Sequence, residues 1–400
     1  MREFSDAKRF DRVDVYKTGL PAAQLIRYGD RTEFRYLPGY GGPPVATSLP
    51  VADTAVLAQA GAVPPFFTGL LPEGRRLTAL RNAVKTSADD EFSLLLAVGE
   101  DTVGDVQIVP AGEPPPPPYP PGAPVRWDQV SLREVFARSV GTTPDRVALP
   151  GFQDKISGAM ITMTGVGEVG PVVIKLDPPE FPHLVANEAF FLAAAQDAKL
   201  ATAAFSVVED RDGTPGLVLR RFDRIERAGR LEALAQEDGC QVLGRYPADR
   251  YQIPAEEVLS GLAAVAGAPA VARLRLFAYL VFGYLIGNGD LHAKNLSVLQ
   301  RDGEWAVAPI YDTPASYPYG DTTLGMPLLG ESGISDVPRE RWLELAETVN
   351  LPVRAAAQVL DDLAAASPRW IDRLGELPFG DRTVAKFRRF LLYRVGLVTR

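Results

Sequence analysis

Asp290, His292, Lys294 and Asn295 lie together in the run Gly289-Asp290-Leu291-His292-Ala293-Lys294-Asn295, and another carboxylate follows in Ile310-Tyr311-Asp312. An Asp with an Asn five residues later is the spacing of a phosphotransferase loop, where the Asp handles a hydroxyl proton and the Asn carbonyl reaches a magnesium ion. Magnesium takes hard oxygen ligands and shares them with phosphates, so Asn295 and Asp312 suffice as its protein ligands. His292 reads as a hydrogen-bonding buttress beside the base Asp290. Such a site also needs a cation on the nucleotide phosphates. Lys175 sits in the apolar stretch Pro171-Val-Val-Ile-Lys-Leu176, where an ammonium requires a partner, and Glu188 early in the next helical stretch can supply one. Upstream, Gly151-Phe152-Gln153-Asp154-Lys155 is placed to cradle phosphates with backbone N–H groups, and Lys155 adds charge.

The chain has 42 Lys and Arg, of which only eight are Lys, and three of those eight are Lys155, Lys175 and Lys294. An ammonium is a compact point charge suited to a phosphate oxygen. Taken singly, these residues have bland readings: a polar turn for Asp290 and Asn295, a turn glycine for Gly151, a snorkelling edge-strand lysine for Lys175. The order of the parts carries the argument, from glycine loop through strand lysine, helix glutamate and Asp/Asn loop to a strand and a final Asp.

The elements that must position these groups are legible in outline. The proline run of residues 113–124 favours extended polyproline II and marks a boundary. Before it, residues 1–112 read as a small mixed domain, alternating apolar and polar from Arg12 to Tyr36 and closing with a strand at Val103 to Val109. After it, a capped helix at Ser131 and strands at Ile156 to Thr164, Pro171 to Leu176 and Gly216 to Arg220 are expected, with a helix from Asn187 to Ala198. These belong to a lobe spanning 125–238. Residues 239–400 read as a largely helical lobe, interrupted from Ile286 to Tyr319 by a polar loop directly after the apolar helix Leu274 to Ile286. Functional groups favour such loops. The fold class expected is therefore α+β.

Composition narrows the function classes. The 400 residues carry 50 Asp and Glu against 42 Lys and Arg, a net charge of −8, which argues against a chain whose task is coating nucleic acid. One cysteine, Cys240, excludes an internal disulfide and a zinc site needing two thiolates, and two histidines, His183 and His292, exclude a three-histidine metal centre. The charged N-terminus lacks a signal-peptide core. The longest uncharged apolar stretch, Leu276 to Gly287, falls short of the roughly 20 residues that span a bilayer. A cytoplasmic protein with no membrane partner is expected. A hydrolase elbow Gly-x-Ser-x-Gly is missing, as is any Gly-Lys pair for a Walker loop.

With these motifs in order the sequence resembles the HipA-type serine/threonine kinases, toxins of bacterial toxin–antitoxin pairs. The resemblance rests on Leu70-Leu71-Pro72-Glu73-Gly74, Gly99 to Gly104, Gly151 to Lys155, Ile174-Lys175-Leu176 and Asn187-Glu188, then Arg221 to Arg224, Gln236-Glu237-Asp238, Leu285 to Asn295 and Tyr311-Asp312. It implies a protein-kinase-like two-lobed fold with an extra N-terminal subdomain, ATP and magnesium as cofactors, and phosphorylation of a protein, typically an aminoacyl-tRNA synthetase, which halts translation. It also implies a small helix-turn-helix antitoxin partner, through which DNA is met only indirectly. By position, Asp290 looks like the catalytic base, Asn295 and Asp312 like magnesium ligands, and Lys175 like the ATP-phosphate lysine. Arg220 to Phe222 look like the adenine hinge, with Gln236 and Asp238 in support. Two positions depart from the pattern: Ala148 stands where family members carry an autophosphorylated serine, and Arg220 where a hinge glutamate is common. Two other readings remain: a small-molecule phosphotransferase of the aminoglycoside or choline kinase type, and a nucleotide-binding pseudokinase that serves its antitoxin as corepressor.

Overall fold

A computed structural model describes residues 4–117, 125–135, 160–167 and 170–400. Alternating residues in β1 (Arg12–Lys17) and β3 (Arg31–Tyr36) turn inward, so Val13, Val15 and Phe34 are buried while their neighbours face outward. With β2 (Leu20–Tyr28), β4 (Val56–Ala58) and β5 (Val106–Pro110) they form an antiparallel sheet in the order β4-β3-β2-β1-β5. Helices α1 (Pro65–Thr68), α2 (Gly74–Val84) and α3 (Glu91–Val98) supply Phe67, Leu80, Phe92 and Leu95 to the same core.

The second sheet holds the lysine strand. Here β6 (Ile161–Gly167) and β7 (Gly170–Leu176) form a hairpin, helix α4 (Leu184–Asp197) follows, and β8 (Phe205–Glu209) and β9 (Pro215–Arg220) complete the order β6-β7-β9-β8. Asp177, just past β7, accepts hydrogen bonds from the backbone N–H groups of His183 and Val185 at 3.1 and 2.6 Å. The strand of Lys175 is thereby tied locally to the first turn of the helix of Glu188.

A hairpin of β10 (Arg224–Arg227) and β11 (Arg230–Ala233) leads to β12 (Gln236–Asp238) and α5 (Gly239–Val242), where Asp238 caps the helix by accepting from Gln241 N–H at 2.9 Å. The lower lobe is built around α6 (Ala255–Val265) and α7 (Pro269–Ile286). By length and composition α7 could cross a membrane, yet every residue from Leu276 to Ile286 is buried in this lobe. Gly287 ends it in the left-handed region, at φ 77°, so that Asn288 N–H reaches back to the Gly283 carbonyl at 2.9 Å. The chain then turns through the polar loop into β13 (Ser297–Arg301) and β14 (Glu304–Val307), which pair with β12 in the order β12-β13-β14. Helices α8 (Arg339–Thr348), α9 (Val353–Ala366), α10 (Pro368–Ile371) and α11 (Asp381–Thr399) enclose α7, with Trp342 and Trp370 against its aromatic side chains.

Candidate active site

Lys175 does not snorkel. Its ammonium is buried between two carboxylates, 2.6 Å from Glu188 Oε1 and 2.8 Å from Asp312 Oδ1. Burial works against the lysine charge, but Asp312 and Glu188 together outweigh it and raise the ammonium above the ordinary lysine range. Glu188 is fully buried, which drives its carboxyl up to about 7; Lys175 pulls the other way and Asp312 adds repulsion. Asn187, the residue before it, exchanges two hydrogen bonds with the backbone of Ala315, donating at 3.0 Å and accepting at 2.8 Å. That pair fixes α4 against the segment carrying Asp312.

The polar loop meets this pair from below. Asn295 Nδ2 donates to Asp312 Oδ2 at 2.7 Å, while its carbonyl oxygen accepts from His292 N–H at 2.9 Å. Asp290 is buried and accepts the Tyr251 hydroxyl at 2.5 Å. Tyr251 also meets the His292 ring edge-on at 4.8 Å and lies under the Arg250 guanidinium. Burial, reinforced by Asp290, keeps the Tyr251 phenol well above its ordinary pKa, so it is a donor at any physiological pH. His292 is buried and its Nδ1 has no hydrogen-bond partner among the described residues; burial lowers it to about 4, leaving a neutral ring. Three glycines let neighbouring segments close on this loop: a Cβ on Gly239 would press on the Ala293 carbonyl at 2.7 Å, one on Gly283 on the Leu291 side chain at 2.7 Å, and one on Gly325 would overlap the Leu291 carbonyl.

Asn295, Asp312, His292, Lys294 and Tyr311 line one cavity of about 240 Å³, with Thr162 of β6 above and Glu73 and Arg76 of the N-terminal domain at its side. Lys294 forms an ion pair with Glu73 at 2.7 Å. Phe222 packs on Tyr311 with ring centroids 5.7 Å apart, bringing the hinge segment next to Asp312. Arg220 is exposed, and its backbone N–H and that of Arg221 are given to the Ala204 and Pro171 carbonyls. An adenine contact there would therefore fall to carbonyl oxygens and to Phe222. Gln236 stands apart from the cavity, beside the Gly104 backbone. Gly151, Phe152, Gln153 and Lys155 lie outside the described residues, as does Ala148. Tyr251 and Glu73 are contacts that spacing along the chain did not signal, since their partners come from distant segments.

Residues 147–371 match the HipA-like C-terminal domain and residues 13–109 the HipA N-terminal domain. The chain belongs to the HipA family. The Serine/threonine-protein kinase toxin HipA of Shewanella oneidensis is 24% identical over 304 residues, covering 70% of this chain and 68% of that one. Y4mE of Sinorhizobium fredii is 28% identical over 362 residues, 84% of this chain and 85% of that protein. Among solved structures, HipA in the Shewanella oneidensis MR-1 complex of HipA, HipB and operator DNA superposes with a TM-score of 0.78 at 21% identity, covering 96% of this chain and 98% of that one. The mixed helix and sheet architecture is thus the HipA fold, kinase-like in its two lobes.

Among the described residues no three His, Cys, Asp or Glu side chains gather as a metal cluster. The donor set at Asp312 and Asn295 nevertheless suits magnesium, which binds through few protein oxygens and completes its shell with phosphate and water. Asp312 offers two carboxylate oxygens, and the Asn295 carbonyl keeps a second lone pair after accepting from His292. Lys175, Lys294 and the half-buried Phe222 are the groups that would meet the phosphates and base of a nucleotide.

Proposed function

We propose that this HipA family member is an ATP- and magnesium-dependent serine/threonine protein kinase acting as a toxin in the cytoplasm. Its target in this reading is a protein, an aminoacyl-tRNA synthetase, whose phosphorylation blocks translation. The observation that supports it most is the convergence of Lys175, Glu188, Asn295 and Asp312 within one hydrogen-bonded cluster, with Asp290 five residues before Asn295 on the same loop. Glu188 holds the strand lysine, the lysine faces the carboxylate of Asp312, and the Asn295 amide fixes that carboxylate in turn. MgATP would supply the phosphoryl group, and the ion, on Asp312 and Asn295, would neutralise its charge. Asp290 orients the acceptor hydroxyl and takes its proton, with one carboxylate oxygen anchored by Tyr251. His292 is neutral and adds no charge to compete with Lys175 and Lys294. Partnership with a small helix-turn-helix antitoxin, and contact with DNA only through it, belong to the same proposal and are supported by the HipB-bound state of the Shewanella protein.

Asp290→Ala tests the reading. It is expected to abolish γ-phosphate transfer and growth arrest while leaving ATP binding near the wild-type level, because a base acts in the transition state. Unchanged transfer in that variant removes Asp290 from its role; full growth arrest without transfer favours a non-catalytic corepressor.

A further inference from the structure

The turn between α1 and α2 crosses from the N-terminal domain to the catalytic loop. Glu73 Oε1 lies 2.7 Å from Lys294 Nζ, and the Gly69 carbonyl accepts from the same ammonium at 3.3 Å. The other nearby carboxylate, Asp238, stands 3.9 Å away. An ammonium has three N–H groups. One donates to the Gly69 carbonyl, the Glu73 carboxylate faces the head as its ion-pair partner, and the ammonium borders the cavity that Lys294 and Glu73 line together with Asn295 and Asp312. Burial would raise the Glu73 carboxyl, but the Lys294 ammonium and the Arg250 guanidinium outweigh it and bring it down to about 2, so the carboxylate is anionic throughout the physiological range.

This turn is a fixed support. Gln241 Nε2 donates to the Phe66 carbonyl at 3.0 Å, and a Cβ on Gly69 would lie 2.7 Å from Gln241 Cγ. Just past it, in α2, Arg75 pairs with Glu180, and elsewhere in the N-terminal domain Thr47 donates both N–H and hydroxyl to Glu237, at 2.8 and 2.6 Å. The turn is thus held on both sides and cannot swing without breaking polar contacts.

We propose that the N-terminal domain is a working part of the phosphoryl-transfer site, with Glu73 the positioning residue that holds the Lys294 ammonium at the cavity of Asn295 and Asp312. This rests on the kinase reading above and extends it to a residue outside the kinase-like lobes. A lysine has a long, freely rotating stem, and anchoring its head in advance removes the reorganisation otherwise needed as charge builds on the transferred group.

The test uses the full-length protein with MgATP and a ribosome-free bacterial extract as phosphate acceptor. Glu73→Gln is expected to slow γ-phosphate transfer about tenfold while affinity for a fluorescent ATP analogue stays unchanged. Lys294→Ala should show at least that loss, and the double variant should transfer no more slowly than Lys294→Ala alone, since the second change removes a support with nothing left to hold. A purely structural Glu73 would lower the melting temperature and leave turnover per folded molecule intact. That result, or two losses that multiply, overturns the proposal. Glu73→Asp keeps the charge one methylene short, should fall between wild type and Glu73→Gln, and replaces the latter if it does not fold; wild-type turnover in Glu73→Asp together with a fully active Glu73→Ala would be equally fatal. If the wild-type protein transfers no phosphate, the kinase reading itself fails; if it does and Glu73→Gln matches it, only the role of Glu73 is lost.

Discussion

Tyr251 donates to Asp290 and so limits the orientations open to that carboxylate. A hydrogen bond to a charged acceptor contributes about 1.5–3 kcal/mol, so Tyr251→Phe, which keeps the ring against His292, is expected to lower turnover about tenfold or more with little change in ATP affinity. Steady-state kinetics separating kcat from KM check this. His292 makes a different kind of prediction. Its folded pKa of about 4 lies below the unfolded value near 6.5, so the unfolded chain binds a proton that the folded one refuses. Its contribution to stability is complete above pH ~6.5 and falls away as the pH drops toward ~4, by at most about 3 kcal/mol. Glu188, raised to about 7, works in the opposite direction, binding its proton more readily in the folded state as the pH falls from 7. His292→Gln isolates the histidine: melting temperatures at pH 7.5 and 5 should differ less in the variant than in the wild-type protein. An equal difference in both would assign the acid sensitivity to other groups.

Among elements, the Gly289–Asn295 loop depends on close approach of its neighbours. Gly325→Ala would drive a methyl group into the Leu291 carbonyl, one residue from Asp290, and backbone cannot yield as a side-chain tip can. The expected outcome is a loss of transfer larger than the loss in melting temperature, measured on the same preparation, whereas Gly283→Ala meets only the Leu291 side chain and should cost less turnover. The elements themselves were legible where pattern is local. The lysine strand was expected from Pro171 and runs Gly170–Leu176, and the glutamate helix was expected from Asn187 and runs Leu184–Asp197. Its first turn was missed because the capping acceptor is Asp177, beyond the Pro-rich approach, and the residue at its N-cap is His183 in the left-handed region. The apolar helix was expected from Leu274 and begins at Pro269, where proline needs no hydrogen-bond donor. Strand β8 gave no signal, since Ser206 and Val207 face outward on an edge. For the site, Lys175, Glu188, Asn295 and Asp312 were readable because order along the chain mirrors a known chemistry. Glu73 and Tyr251 were not, because their contacts exist only after distant segments pack.

For the whole molecule, the decisive joint is the buried charge cluster between the N-terminal domain and the hinge. Arg221 donates to both oxygens of Asp223 at 2.9 and 2.7 Å, to Asp101 at 3.0 Å and to the Thr102 carbonyl at 2.8 Å; Arg224 meets Asp223 and Asp101 from the other side. Asp223 also accepts from Gly104 N–H at 3.0 Å. Burial opposes its charge, but the two guanidinium groups outweigh that and hold the carboxyl below the ordinary aspartate range. The joint therefore couples the domains only while every member is charged, and removing one member of such a cluster costs about 3–5 kcal/mol through the charge left uncompensated. Wild-type protein is expected to melt in one calorimetric transition at neutral pH. Arg221→Met should lower the transition and split it, with the N-terminal sheet and the kinase-like lobes unfolding separately. Arg220→Met, one residue away but exposed, should change neither the melting curve nor its cooperativity. A single unshifted transition in Arg221→Met would show that the Thr47–Glu237 and Phe66–Gln241 contacts hold the two parts together without the charge cluster.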